Sequence, residues 1–220
     1  MSVLENQVAL ITSATSSIGK VYAKHLLQNG VKVALCDIDF EACQLFANEL
    51  SNVFGDNNVL ALGYFIAENL QLESAFNSCL NHFGRMDIVV NNMTEMKFHV
   101  LINNQDENNF ICKHYSGVIS GTLLAIKYMG APYGGNGGTV VQTTNCRSAT
   151  NAVVGYTKLI GDEQSSHYLK IRTMALDPRN DSDNVGRALI YILKQGITGQ
   201  YWIVENEETP RLAVTTDIIN

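Results

Sequence analysis

Residues 12–19, Thr12 Ser13 Ala14 Thr15 Ser16 Ser17 Ile18 Gly19, form a run of small side chains between an apolar stretch (Val8 to Ile11) and a helical pattern. Such a turn offers backbone N–H groups at a helix N-terminus, which can bind a phosphate without any cationic side chain. A phosphate-cradling loop wants glycine at three places, because glycine permits unusual backbone angles and close approach. Here Ser13 and Ser17 take two of them and only Gly19 remains. The next apolar stretch ends on Asp37, an acid that could accept ribose hydroxyls and repel a 2′-phosphate, or equally be a solvated strand-end residue. Other chemistry finds little footing. The five histidines show no H-E-x-x-H or other metal spacing, and there is no G-x-S-x-G and no P-loop.

A strand, turn, helix, strand and terminal acid must be positioned by a larger α/β frame. The chain has 220 residues with 46% hydrophobic content, enough for one domain with a sizeable core over residues 1–220. A net charge of −6 argues against nucleic acid or an anionic membrane as partner. The N-terminus lacks a basic region, and no apolar window reaches membrane-spanning length. Five cysteines, an odd number with no C-x-x-C pair, fit reduced thiols and a cytoplasmic setting.

Taken in order, helical spacing predicts helices over Ile18–Asn29, Phe40–Leu50, Gln71–Phe83, Asn108–Met129, Asn151–Ser166 and Asp183–Lys194. Apolar runs predict strands at Val8–Ile11, Val31–Cys36, Val59–Ile66, Met86–Val90, Thr139–Thr143, Lys170–Leu176 and Gly199–Val204, followed by a polar tail. Regular β-α-β alternation implies a doubly wound, mostly parallel sheet of about seven strands, covered on both faces.

In this order and spacing the residues resemble the short-chain dehydrogenase/reductase family, whose fold is Rossmann-like. The carriers are the Thr12–Gly19 turn, Asp37, Asp87 Ile88 Val89 Val90 Asn91 Asn92, and Gly117 Val118 Ile119 Ser120 Gly121 Thr122 Leu123 with Tyr128-Met129. The last group resembles the branch of NAD-dependent hydroxyprostaglandin dehydrogenases and insect-type alcohol dehydrogenases. The resemblance implies a dinucleotide site at Ser13, Ser17, Ile18, Gly19, Asp37 and Asn91, and a homodimer joined through the helices at Asn108–Met129 and Asn151–Ser166. Three departures weigh against tight NAD binding, which is expected to be weak or lost: the two serines, Phe65 or its neighbour where the family places an aspartate, and Met93-Thr94 where it has Ala-Gly.

The family's mechanism uses a tyrosine whose pKa is lowered by a lysine four residues on, helped by a serine and an asparagine. A tyrosine with an ordinary pKa of about 10 is scarcely ionised at neutral pH, so the lysine is essential. None of the nine tyrosines has one; the nearest case, Tyr168 with Arg172, falls at the entry to a strand. The tyrosine and lysine positions match Cys146 and Thr150, the serine Thr144 or Asn145, and the asparagine His114. The connection after the fifth strand is shortened, and Pro178-Arg179 stands where the family has Pro-Gly before a substrate-covering segment that is nearly gone. The expectation is a degenerate relative without hydride transfer, acting as a binding, regulatory or structural protein. The alternatives are an NAD-dependent oxidoreductase of a secondary alcohol or hydroxy-lipid, and a carrier of an apolar ligand.

Overall fold

The computed structural model describes residues 3–63, 69–92, 107–144, 150–205 and 209–214. Its strands are β1 (Val8–Thr12), β2 (Lys32–Asp37), β3 (Val59–Gly63), β4 (Ile88–Asn91), β5 (Gly138–Thr143), β6 (Ile171–Pro178), β7 (Tyr201–Val204) and β8 (Arg211–Leu212). The helices are α1 (Ser17–Gln28), α2 (Phe40–Phe54), α3 (Asn69–Phe83), α4 (Glu107–Met129), α5 (Thr150–Ile160), α6 (Glu163–Leu169) and α7 (Asp183–Gln195).

One sheet in the order β3-β2-β1-β4-β5-β6-β7-β8 carries all of them. Every pairing is parallel except β7 with β8, which are antiparallel. The parallel strands read as continuous apolar runs because both faces are covered; all five residues of β1 are buried. One face packs on α1, α2 and α7 through Tyr22, Leu26, Phe46 and Leu189. The other packs on α3 and α4 through Phe76, Cys79, Ala125 and Met129. The chain winds outward from β1 to β3 and then restarts at β4 on the other side of β1. That reversal lies at the carboxyl ends of β1 and β4, the place where such sheets bind ligands.

Three sequence expectations need correction. The polar tail contributes an eighth strand: Trp202 and Ile203 pair with Leu212 and Arg211, a two-residue edge too short for periodicity to reveal. The predicted helix Asn151–Ser166 is two helices. It breaks where Gly161 packs on Gly199, with a Cβ there falling 2.5 Å from the Gly199 nitrogen, and Asp162 caps the next helix by accepting from Gln164 and Ser165 N–H. Tyr168 therefore ends α6 rather than entering the strand that holds Arg172. The third strand is described as far as Gly63, and Phe65, Met93 and Thr94 lie outside the described residues.

Cys36, Cys43 and Cys79 are buried and free. Burial raises all three thiols, Cys43 to about 11 and Cys79 to about 12, so they are protonated at neutral pH and poor nucleophiles. We expect none of the three to react with a water-soluble thiol reagent in the folded protein, and all of them to react in denaturant. Mass mapping of the labelled cysteines checks this; rapid native labelling of Cys36 would contradict the packing.

Candidate functional site

The turn after β1 folds onto the start of α1. Ser16 caps the helix by accepting from Gly19 N–H (3.1 Å), and its hydroxyl donates to the Ser13 carbonyl (2.8 Å). Asn92, just past β4, ties the turn down through its side-chain amide, which donates to the Ser13 carbonyl and to Ser16 Oγ, each at 3.1 Å. Its backbone N–H donates to Thr12 Oγ1 at 2.9 Å. Ser13 adopts φ 45°, so the turn takes the left-handed conformation glycine would favour, at a strain of about 1 kcal/mol. Gly19 is indispensable here for a different reason. A Cβ on it would lie 2.5 Å from the Ser13 carbonyl oxygen.

The arrangement suits a dinucleotide phosphate. Ser17 is exposed and occupies the first position of α1. The backbone N–H groups of Ser17 and Ile18 have no acceptor among the described residues, as expected of the first turn of a helix that offers donors to an anion. Asp37 ends β2, almost fully buried. Its Oδ2 accepts from both the backbone N–H (2.9 Å) and the hydroxyl (2.7 Å) of Thr15, while Oδ1 receives a longer contact from Asp39 N–H at 3.3 Å. One carboxylate oxygen is thus anchored to the turn and the other is left able to accept from a ribose. Asp37 is not the solvated strand-end acid that the sequence also allowed.

Asn91 closes β4 in a buried polar network. Its side-chain amide donates to Gln142 Oε1 (2.9 Å) on β5, and Gln142 Nε2 donates to Thr122 Oγ1 (2.6 Å) on α4. The network requires α4 to lie against the strand: a Cβ on Gly121 would fall 2.1 Å from Asn91 Oδ1. Asn91 Oδ1 and Asn92 Oδ1 are buried with no partner among the described residues. Buried acceptors of this kind suit a bound water.

The expected catalytic edge is only partly in view. His114 lies in α4, where the backbone alone is described, and Asn145 and Cys146 lie outside the described residues. Thr144 is buried at the end of β5, its N–H donating to the Leu176 carbonyl of β6 (2.9 Å). Thr150, in the place of the lysine, starts α5 and donates its hydroxyl to the Thr144 carbonyl (3.1 Å). Asp177, missed by the sequence reading, is buried beside them. Its Oδ2 accepts from the Tyr201 hydroxyl (2.7 Å) and pairs with Arg179 Nε (2.9 Å). Burial first, and the Asp177 carboxylate second, hold the Tyr201 phenol well above its usual pKa, so it is no substitute for a tyrosine activated by lysine. Among the described residues no group of His, Cys, Asp and Glu could hold a metal ion, and no helix is long and apolar enough to cross a membrane.

A doubly wound parallel sheet with a strand-order reversal at β1/β4 and a capped small-residue turn defines a Rossmann-like α/β fold. A family model described as short chain dehydrogenase matches residues 7–178, and the chain belongs to the short-chain dehydrogenase/reductase family. It is 34% identical to 15-hydroxyprostaglandin dehydrogenase [NAD(+)] of Mus musculus over 143 residues, 64% of this chain and 51% of that protein. It is 26% identical over 188 residues to the mitochondrial borneol dehydrogenase of Lavandula x intermedia, covering 78% of this chain and 69% of that one. The chain spans about half the length, 51%, of the hydroxyprostaglandin dehydrogenases it matches. Among solved structures, a short chain dehydrogenase from Mycobacterium avium superposes with TM-score 0.82 at 20% identity, over 97% of this chain and 86% of that one. The 3-ketoacyl-(acyl-carrier-protein) reductase from Brucella melitensis, solved with NADH, does so with TM-score 0.74 at 24% identity, over 91% and 97%.

Proposed function

We propose that this chain binds NAD(H) in the β1/β4 crevice and is an oxidoreductase of a secondary alcohol or hydroxy-lipid. The observation that carries the reading is the intact cradle: Ser13 takes a left-handed angle in a glycine's place, Gly19 keeps the close approach, and Thr15 anchors Asp37. Ser17 and Ile18 would meet the pyrophosphate through their N–H groups, and Asp37 would meet the adenosine ribose. Bound NAD supplies the hydride acceptor. The choice of NAD over NADP rests on the charge of Asp37, and is supported by the NAD-linked relatives.

A second reading, binding without turnover, is favoured by Thr150, whose hydroxyl is committed to the Thr144 carbonyl and which carries no charge to lower a neighbouring pKa. Titration with NADH tests the first step. The change in nicotinamide absorbance with a panel of secondary alcohols and hydroxy-lipids then separates the readings: oxidoreduction gives turnover, and the binding module gives none. The reading includes a homodimer through α4 and α5, on which Leu123 is 54% and Leu159 is 69% exposed. A dimer mass in solution supports this part and a strict monomer refutes it.

A further inference from the structure

Arg179 is a cation fixed at the carboxyl end of β6 that the dinucleotide reading leaves unused. Its backbone N–H donates to the Val204 carbonyl (3.0 Å), placing it between the ends of β6 and β7. Its Nε is held by Asp177 at 2.9 Å, with the aspartate side chain 8% and the arginine side chain 36% exposed. Both terminal amino groups of the guanidinium lack partners among the described residues. An arginine pinned by Nε to a buried carboxylate presents its remaining N–H groups in fixed geometry, and that fork matches a planar oxyanion.

The face it occupies follows from strand alternation. Ala175 and Tyr201 pack together with Val154 of α5, whereas Leu176 belongs to the core under α1 and α7. Asp177, two residues beyond Ala175, shares the α5 side. Arg179 is pinned there by Asp177, whose other partner, the Tyr201 hydroxyl, also interacts with Thr144, a residue that matches one of the family's catalytic positions. The pyrophosphate donors of the turn lie above β1, three strands from β6, a separation of about 14 Å at the usual strand spacing. Arg179 is therefore not among the groups that cradle the turn's anion.

The geometry points to Arg179 as the receptor for a carboxylate carried by the substrate, which makes that substrate a hydroxy acid rather than a neutral alcohol. The inference rests on the oxidoreductase reading for the word substrate, but its anion site stands or falls separately. Decanoate and methyl decanoate are titrated into the protein with and without saturating NADH, followed by calorimetry and Trp202 fluorescence. The variants are Arg179→Gln and the double variant Arg179→Gln with Asp177→Asn; the second leaves no unpaired buried charge if the first fails to fold.

The expected result is that wild type binds decanoate at least tenfold more tightly than its ester, and that the folded variant loses this preference while binding NADH as before. Equal binding of acid and ester, no decanoate binding at millimolar concentration, or an unchanged preference in the variant overturns the proposal. So does a variant that loses NADH but keeps decanoate, since the anion held is then the cofactor's. Failure of wild type to bind NADH refutes the oxidoreductase reading, while a decanoate preference lost in the variant upholds the anion site.

Discussion

Gly19→Ala is expected to abolish the proposed NADH binding, with affinity falling at least a hundredfold. The added Cβ would sit 2.5 Å from the Ser13 carbonyl oxygen and 2.8 Å from that of Ala14, both backbone atoms that cannot rotate away. Either α1 shifts away from the turn or the turn opens. Both outcomes move the Ser17 and Ile18 N–H groups off the phosphate. The Ser13 carbonyl is itself held by the Asn92 side chain and by both the hydroxyl and the backbone N–H of Ser16, so relief by moving it disturbs three further bonds. Overpacking of this kind costs about 1–3 kcal/mol of stability, and a melting curve recorded beside the titration separates a displaced turn from an unfolded protein. A Gly19→Ala protein that binds NADH like wild type would show that the turn is not where the cofactor lies.

The second large effect is on Asp37. Asp37→Ala deletes the acceptor proposed for the ribose and strands the Thr15 hydroxyl and N–H that Oδ2 now satisfies. Hydrogen bonds to a charged group are worth about 1.5–3 kcal/mol, so NADH affinity is expected to drop roughly 10- to 100-fold. NADPH, relieved of the repulsion between Asp37 and its 2′-phosphate, should bind the variant no worse than wild type. The ratio of the two affinities is the diagnostic quantity, because a general weakening of the fold would reduce both. Thr15→Val is a milder companion: it removes the 2.7 Å hydroxyl bond but keeps the backbone one, and should cost NADH only a few fold.

The parallel sheet was legible because its strands are buried on both faces and read as unbroken apolar runs, as Val31 to Cys36 does. The turn's fold and the burial of Asp37 follow features visible in the sequence: small residues between a strand and a helix start, and an acid closing an apolar run. Thr15 was hidden: a threonine three residues past a strand has no pattern that ties it to an acid 22 residues on. The serines at 13 and 17 looked like damage when only their types were known. The structure shows one accepting the strained angle and the other exposed at the helix start.

Asp177 and Arg179 escaped because their meaning lies in a partner on another strand, Tyr201. Pro178-Arg179 registered only as a lost Pro-Gly, whereas in space it puts a guanidinium pinned by Asp177 at the carboxyl end of β6. The missing lysine, by contrast, is a plain sequence fact that no packing can reverse. Thr150 at the start of α5 is tied to the chain behind it. That leaves the chemistry of any turnover to groups other than a tyrosine–lysine pair, and it predicts that oxidation of an alcohol, once a substrate is found, is slow beside the family's usual rates.

NADH titration of the wild-type chain by calorimetry, repeated with NADPH, tests the central claim most directly. An intact cradle with Asp37 anchored by Thr15 predicts saturable NADH binding with a Kd in the micromolar range, about −8 kcal/mol, and NADPH at least tenfold weaker. No heat of binding at millimolar NADH, or equal affinity for the two nucleotides, would contradict it.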